Sequence, residues 1–396
     1  MIGKQKKGLE MTTTINKEQK NPNVPNLRFP EFEGEWQEKR LSDIADLSKG
    51  IGISKDQLSA DGEPCILYGE LYTKYKSETI KEVISKTNID NTKLVKSKAN
   101  DVIIPCSGET AEEIATARCV LKDDILLGGD LNIIRLHGYD GSFMSYQLNG
   151  KRKYDIAKVA QGVSVEHLYG EHLKNIKTIN PSLNEQKKIA NLLSLLDERI
   201  STQNKIIEDL KMLRSAIANK ILNSLSGEIV MLSEICNIVK GKQINGECLA
   251  DNGNYYVMNG GTEPSGYYEE YNVGANTISI SEGGNSCGYV QFNTLPFWSG
   301  GHCYTLQNIS KNVDHIFLYH YLKSKESQIM RLRIGSGLPN IQKKDLAKFK
   351  VVILSTEQQD IVSAFLSALE RKAELHTSTL SALHSEKQYL LRQMFI

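Results

Sequence analysis

The sequence predicts an α+β protein in which two tandem-repeated, strand-rich domains are separated by a long antiparallel helical pair of the coiled-coil type. Three observations predict this fold class: a sustained apolar heptad in mid-chain, a series of sequence matches that occurs twice in the same order, and short β-branched runs between glycine pairs. A tandem repeat closed by antiparallel helices is expected to have pseudo-two-fold symmetry.

Residues 185–225 have the pattern of one uninterrupted helix, because neither proline nor glycine occurs before Gly227. Apolar residues recur at three- and four-residue steps, and the stripe is interrupted only at Gln203 and Arg214. So narrow a stripe favours a partner helix over a broad core. Its members are Ile189, Leu193, Leu196, Ile200, Ile207, Leu210, Ile217 and Ile221.

The candidate partner is the C-terminal segment, residues 355–396, which has a weaker apolar stripe. Two alanines in this stripe would let a neighbouring backbone approach closely. Paired lengthwise, the two helices would form a rigid strut. The stripe consists of Ile361, Phe365, Ala368, Leu375, Ala382 and Tyr389, with Leu383 and Leu390 on its flank.

Self-comparison indicates a tandem duplication, in which each copy is a strand-rich domain followed by a long helix. Four matches in the same order argue against chance. A short apolar strand is predicted before each helix, at 176–179 and 349–353. The matching segments are 41–50 with 232–241, 127–131 with 299–303, 162–173 with 335–346, and 184–186 with 356–358.

These patterns divide the chain into five parts. The predicted parts are a flexible polar tail at 1–26, a first strand-rich domain at 27–183, a central helix at 184–226, a second strand-rich domain at 227–354 and a C-terminal helix at 355–396.

Composition excludes several classes of protein. A formal net charge of +1 gives no electrostatic footprint for strong non-specific binding to nucleic acid by the whole chain. The seven cysteines include no C-x-x-C pair, which is typical of buried thiols in a reducing compartment. With neither a membrane-length apolar run nor a secretory signal, we expect a cytoplasmic protein without membrane contact.

The sequence predicts no catalytic residue and no metal site. It contains neither a phosphate-binding P-loop nor a dinucleotide-binding glycine motif, and its eight histidines form no metal-ligand pattern. Residues 180–183 share two positions with the N-P-P-aromatic loop of amino-methylating enzymes. The second proline and the aromatic of that loop are missing, so a strand-to-helix turn, where proline is common, is the favoured explanation of Pro181.

Polar and basic residues at matching places in the two repeats are candidate DNA contacts. Lysine and arginine neutralise phosphates, whereas glutamine and asparagine can hydrogen-bond base edges. Solvated surface charge is the alternative for each basic residue. The candidates are Lys49, Lys151, Arg152, Lys153, Lys240, Lys242, Gln243, Asn245, Asn259, Asn285, Arg331, Arg333, Ser336, Asn340, Lys343 and Lys344.

Taken together, these features resemble the specificity (S) subunit of type I restriction-modification systems, from about Val24 onward. Residues 25–36 resemble the beginning of its first recognition domain, and residues 36–50 and 232–241 resemble an opening strand and turn. The junctions between recognition domain and helix are similar as well. They are carried by Gly162, Leu173, Pro181, Glu185, Gln186 and Ile189 in the first half and by Gly335, Ser336, Gly337, Ile341, Leu346, Glu357, Gln358 and Ile361 in the second.

The resemblance implies a non-catalytic subunit in which each recognition domain reads one half of a bipartite double-stranded DNA target. The helical pair would set the spacer and dock two methyltransferase (M) subunits, and nuclease/translocase (R) subunits would complete the complex. S-adenosylmethionine, ATP and Mg²⁺ would bind the partners rather than this chain. The docking residues would be the eight stripe residues of the central helix with Ile361, Phe365, Leu375 and Leu383.

Because the two recognition domains differ in sequence, an asymmetric target is expected. The first-half loop, residues 162–164, departs from the Gly-Ser-Gly pattern of residues 335–337, which weakens the expectation of contacts there. Two other hypotheses remain open: a self-sufficient DNA methyltransferase, and a coiled-coil scaffold without a role at DNA.

Overall fold

The computed structural model describes residues 12–13, 23–162, 166–224, 226–335 and 337–396. It contains two compact units, Met1–Asn204 with Thr379–Ile396, and Lys205–Ser378. Each unit therefore contains a strand-rich part and one portion of each of two long helices.

Both units are built on a central sheet with the same strand order. In the first unit the strands, in spatial order, are Ala45–Lys49, Leu131–Leu136, Asp101–Pro105, Arg118–Val120 and Thr79–Ile80, all antiparallel except the last pair. In the second unit they are Asn237–Lys240, Cys303–Gln307, Thr277–Ser281 and Val290–Asn293, all antiparallel.

Smaller sheets also correspond between the units. The first unit has Leu58–Ser59, Ser85–Thr87, Glu63–Ile66, Leu126–Leu127 and Val95–Lys96 in one sheet, Lys177–Asn180 with Gln37–Arg40 in another, and Ser107–Gly108, Glu166–His167 and Gln161–Gly162 in a third. The second unit has Tyr267–Tyr268, Tyr255–Met258 and Trp298–Ser299, and Glu228–Met231 with Lys350–Ile353.

Short helices cover these sheets. In the first unit they are Leu41–Ile44, Glu70–Thr73, Ala111–Ile114, Gly141–Asn149, Lys153–Val159 and Gly170–Leu173, with a 3₁₀ turn at Lys55–Gln57. In the second unit they are Leu232–Ile235, His315–Ser324, Glu326–Met330 and Lys343–Ala347, with a 3₁₀ turn at Gly246–Cys248.

Matching hydrogen bonds confirm the tandem repeat. The backbone N–H of Leu41 donates to the carbonyl of Ile176 at 3.0 Å, and that of Leu232 donates to Phe349 at 2.9 Å. All four side chains lie in or against the apolar cores of their units. The duplicated sequence therefore specifies a duplicated fold.

The alignment of the two helix starts was predicted one residue out of register. Gln186 accepts from the N–H of Asp140 at 2.9 Å, and Gln359 accepts from that of Asp314 at 2.7 Å. The predicted match of 184–186 with 356–358 is therefore wrong, because Gln186 corresponds to Gln359. Adjacent glutamines at 358 and 359 allow either register locally, whereas the preceding match, 162–173 with 335–346, continues without a gap to Gln186 and Gln359.

The predicted opening strand contains a helical turn, Leu41–Ile44, and the same holds at Leu232–Ile235. A carboxylate at the third helical position accepts from the backbone N–H of the cap residue, Asp43 from Arg40 at 3.1 Å. Such a capping box favours helix over a continuous strand. The strand proper begins only at Ala45.

The central helix, Leu183–Ser224, has the apolar stripe that the sequence predicts. Ile189, Leu193, Leu196 and Ile207 are buried, and the remaining stripe members are partly buried. Arg214, which interrupts the stripe, forms an ion pair with Glu370 at 2.9 Å.

The stripe predicted for the C-terminal helix, Thr356–Gln393, is wrong in register. Ile361, Phe365 and Leu375 are exposed, as are Ala368, Ala382 and Tyr389. The buried face includes Leu383 and Leu390, which were predicted on the flank of the stripe, together with Gln359, Val362, Ser363 and Leu366. Polar residues on this face, such as Gln359, concealed it from a search for apolar periodicity.

Most of the predicted tail lies outside the described residues. Within it, Thr12–Thr13 pairs with Leu27–Arg28 in a two-stranded sheet. Six of the seven cysteines are buried, and Cys248 is exposed. Across the described ranges, no helix is both long and apolar enough to cross a bilayer.

Candidate nucleic-acid interface

In the second unit, a carboxylate joins two basic side chains at one end of the central sheet. The strand Asn237–Lys240 ends at Lys240, whose Nζ lies 2.7 Å from Glu282 Oε1. Glu282 follows Thr277–Ser281, which lies one strand away in the sheet, and its second oxygen lies 3.0 Å from Nδ1 of His302. The carboxylate is largely buried, whereas both basic side chains are about half exposed or more (49% and 59%).

Further hydrogen bonds fix the His302 loop at this end and bring two more loops to it. The N–H of Glu282 donates to His302 O at 2.8 Å, and the N–H of Ile341 donates to Glu282 O at 2.8 Å. Asn340 forms a bridge with Gly283, and Asn259 Oδ1 accepts from His302 N–H at 3.1 Å. Asn259 uses its oxygen in this contact, and its amide NH₂ is a separate donor group.

A glycine is required where two of these loops cross. The N–H of Gly241 donates to Cys303 O at 2.9 Å, and a Cβ on Gly241 would overlap the carbonyl oxygens of Ser299 and Gly300. The corresponding residue, Gly50, would overlap Gly128 in the same way. The matched glycines therefore hold the same loop crossing in both units.

The first unit has the same backbone arrangement with different side chains. Cys106 N–H donates to Asp130 O at 2.7 Å, and Leu168 N–H donates to Cys106 O at 2.8 Å. Cys106 thus occupies the position of Glu282, and Asp130 that of His302. Burial raises the pKa of the Cys106 thiol to about 11, although the nearby Lys49 opposes the shift. The group beside Lys49 is therefore a neutral thiol, not a carboxylate.

Several predicted candidates lie at this end of the second unit. Lys242, Gln243 and Asn245 are exposed in the loop after Lys240, and Asn285 is exposed in the loop after Glu282. Asn340 pairs with Ile334 through two backbone hydrogen bonds of 2.8 and 3.0 Å, and Arg333 is exposed next to this pairing. Arg331, Lys343 and Lys344 are exposed nearby in sequence, and Ser336 lies outside the described residues.

The cluster at Lys151, Arg152 and Lys153 does not join Lys49. Arg152 contacts Asp155 at 3.4 Å and the backbone carbonyl of Ile396 at 3.3 Å. This places Arg152 against the end of the chain, beside the C-terminal helix, instead of at the loop crossing around Cys106.

Four members of the site were not predicted from the sequence: Glu282, His302, Cys106 and Asp130. The match of 127–131 with 299–303 did align Asp130 with His302, and that signal was available. No sequence similarity links Cys106 with Glu282, so only the shared hydrogen-bond pattern relates them. Within the portion of the chain that is described, no group of three or more His, Cys, Asp or Glu residues is arranged to hold a metal ion.

Comparisons with known proteins identify the family. The sequence model of the type I restriction modification DNA specificity domain matches residues 33–212 and 227–385. The specificity subunit of the type I restriction enzyme MjaVIII of Methanocaldococcus jannaschii is 24% identical, over 95% of either chain. In fold, the chain is similar to the crystal structure of a type I restriction-modification S subunit from M. genitalium, with a TM-score of 0.70, 22% identity, and coverage of 94% of this chain and 99% of that one.

A second similar structure comes from work on complex assembly and conformational transition of the type I R-M system, with a TM-score of 0.54 and 15% identity over 92% of this chain and 98% of that one. The two matches to the family model cover both repeats and most of the sequence. The chain therefore belongs to the type I restriction-modification DNA specificity family, as a specificity subunit that serves DNA sequence recognition.

Proposed function

We propose that the loop end of each unit binds one half of a bipartite, asymmetric double-stranded DNA target. The observation that carries this proposal is the repeated convergence of loops around Cys106 in one unit and Glu282 in the other. The backbone is the same in both, whereas the side chains offered to a ligand differ. A shared scaffold with different contacts is what reading two unlike half-sites requires.

The second site offers groups that suit base edges in the major groove. A carboxylate such as Glu282 accepts hydrogen bonds from the cytosine amino group, and an amide such as Asn259 pairs with adenine. Lys242 and Lys343 are exposed lysines suited to phosphate. We infer that Glu282, His302 and Asn259 read bases while the surrounding lysines position the duplex.

The helical pair is proposed to set the spacer between half-sites and to dock two methyltransferase subunits. Ile361 and Phe365 support docking, because both expose large apolar side chains on the C-terminal helix (63% and 44%). Nuclease/translocase subunits would join the complete enzyme. We propose that S-adenosylmethionine, ATP and Mg²⁺ bind those partners and that this chain carries no catalytic residue.

The experiment is to co-express the chain with its M subunit and to map methylated adenines across the genome. A single bipartite, asymmetric motif that is absent from cells with either protein alone is the expected result. Cofactor binding and methylation by the isolated chain would instead favour a self-sufficient methyltransferase. A methylated motif that stays unchanged when either strand-rich domain is replaced would favour a scaffold without a role at DNA.

Helix length offers a separate test of the spacer. Removing one heptad from the central helix together with one from the C-terminal helix preserves their pairing. We expect the gap between half-sites to shorten while each half-site stays the same. Altered half-sites with an unchanged gap would contradict the spacer proposal.

A further inference from the structure

In the first unit, one carboxylate ties together both long helices and the strand-rich domain. Asp197 of the central helix lies 2.7 Å from Nζ of Lys387 on the C-terminal helix. Its other oxygen accepts the hydroxyl of Tyr146 at 2.7 Å and that of Ser77 at 2.9 Å, both from the strand-rich domain. Lys387 also pairs with Glu78 of that domain at 2.7 Å.

The second unit builds the same junction from the opposite helix. Glu370 of the C-terminal helix accepts from Arg214 of the central helix at 2.9 Å and from the hydroxyl of Tyr319 at 3.0 Å. The sequence offset that relates Gln186 to Gln359 also relates Asp197 to Glu370. The carboxylates are therefore equivalent positions of the repeat.

The two tyrosines are not at equivalent positions of the repeat, although each donates its hydroxyl to the carboxylate of a long helix. Each belongs to a helix capped by an aspartate, Gly141–Asn149 after Asp140 and His315–Ser324 after Asp314. Tyr146 is the sixth residue after its cap, whereas Tyr319 is the fifth after its own. The hydrogen bond from tyrosine to carboxylate therefore occurs in both units although the two tyrosines are not at aligned positions.

The contacts of the first unit are sheltered from solvent. Asp197, Lys387 and Tyr146 are all largely buried, and a hydrogen bond to a charge strengthens where water is excluded. Burial, followed by the adjacent carboxylates, raises the pKa of Tyr146 and of Tyr319, so each hydroxyl stays a donor. Burial lowers the pKa of Lys387, but two facing carboxylates more than offset it, and the net shift is upward.

We infer that Asp197 and Glu370 are positioning residues that fix how each recognition domain is held on the helical pair, and thereby which spacer length the complex accepts. This inference rests on the proposed function, because a spacer has meaning only for a bipartite target. The tyrosine hydroxyls are the link to test, since removing them leaves both helix-to-helix ion pairs in place.

The test compares Tyr146→Phe combined with Tyr319→Phe against the wild-type chain, each assembled with its M subunit. Binding is measured on duplexes with the mapped half-sites and a spacer of the native length or one base pair longer or shorter. The variant is expected to lose about tenfold of the preference for the native spacer, the fold-change of one charge-assisted hydrogen bond. Its half-site preferences should be unchanged.

Tyr72→Phe combined with Tyr256→Phe is the matched control. The Tyr72 hydroxyl donates to the carbonyl of Ser107 at 3.2 Å and the Tyr256 hydroxyl contacts Asn293 Oδ1 at 3.1 Å, so both bonds lie inside the strand-rich domains. The control should keep the wild-type spacer preference. A second variant, Asp197→Asn with Glu370→Gln, weakens both the hydroxyl bonds and the ion pairs and should relax the preference further.

The possible outcomes distinguish failure of the positioning role from failure of the proposed bipartite function. If the wild-type complex and both variants show equally sharp spacer optima, the positioning role is overturned and the proposed function stands. Uniformly weaker binding at every spacer length also overturns the positioning role, because that is the result of lost stability. A wild-type complex that accepts all spacers overturns the proposed bipartite function and this inference with it.

Discussion

Lys240 and Glu282 form an ion pair of 2.7 Å at the loop end of the second unit, whereas Lys49 in the first unit faces the neutral thiol of Cys106. The two lysines occupy matching strand ends in the repeat. One of them therefore already has a counter-charge before any ligand arrives. A phosphate or base must compete with Glu282 for Lys240, but it meets no such competition at Lys49.

This difference predicts unequal effects on salt dependence. Glu282→Gln frees the Lys240 charge, so binding of the M-subunit complex to non-target DNA should strengthen and its salt slope should steepen by about one unit. Lys240→Ala should flatten the slope less than Lys49→Ala does. Affinities measured from low to moderate salt check this, and equal slopes for all variants would argue against contacts at these lysines.

The lysine pair Lys343 and Lys344 offers a second electrostatic prediction. Both are exposed on the short helix Lys343–Ala347. The matching helix of the first unit, Gly170–Leu173, has Glu171 at the position of Lys344. Replacing both with alanine should weaken binding equally for target and non-target sequences and flatten the salt slope by about one to two units. A loss confined to the target sequence would mean that these lysines read bases instead.

Adjacent residues on the C-terminal helix separate docking from folding. Phe365 is 44% exposed, whereas Leu366 is 1% exposed within the core. Phe365→Ser should weaken co-purification with the M subunit without lowering the melting temperature. Leu366→Ala should lower the free energy of unfolding by about 2–5 kcal/mol. Unchanged M-subunit affinity in Phe365→Ser and in Ile361→Ser would contradict the proposed docking face.

A buried histidine predicts acid sensitivity of the second unit. Burial lowers the pKa of His320 to about 4, although Glu370 and Asp314 nearby oppose the shift, and Ser367 lies 3.1 Å from its Nε2. The unfolded chain binds this proton near pH 6.5. Protonation of His320 in the unfolded chain therefore costs no stability above that pH, and the free energy of unfolding falls as the pH drops toward 4.

Between pH 7 and pH 4.5 the expected cost of keeping His320 neutral is about 2 kcal/mol. Denaturant unfolding of His320→Gln and of the wild type, each at both pH values, measures this cost as the difference between their losses. Equal losses in the two proteins would show that His320 does not contribute. The remaining acid sensitivity belongs to other groups and is common to both.

The repeat and the central helix could be predicted from sequence because their signals are local. The segments that begin at Leu41 and Leu232 align without gaps over ten residues. The stripe from Ile189 to Ile221 has the period of a helix. The buried face of the C-terminal helix could not, because its polar members, such as Gln359, are buried only through hydrogen bonds to another element.

The site was predicted in part for a related reason. Lys240 and Asn259 are residue types that suit DNA and lie in loops beside matched segments. Glu282 was not identified, because its role depends on contacts with Lys240 and His302, far from it in sequence. Asp197 and Glu370 were missed as well, although extending the self-comparison along the helices would have aligned them.

The most direct measurement is the methylated motif of complexes that carry His302→Gln or, separately, Asp130→Asn. These residues hold the same place in the two units, because the backbone carbonyl of His302 accepts from Glu282 N–H at 2.8 Å and that of Asp130 accepts from Cys106 N–H at 2.7 Å. The account predicts that each variant changes or relaxes one half of the motif, a different half in each case, at an unchanged spacer. The same half altered by both variants, or neither half altered by either, would contradict it.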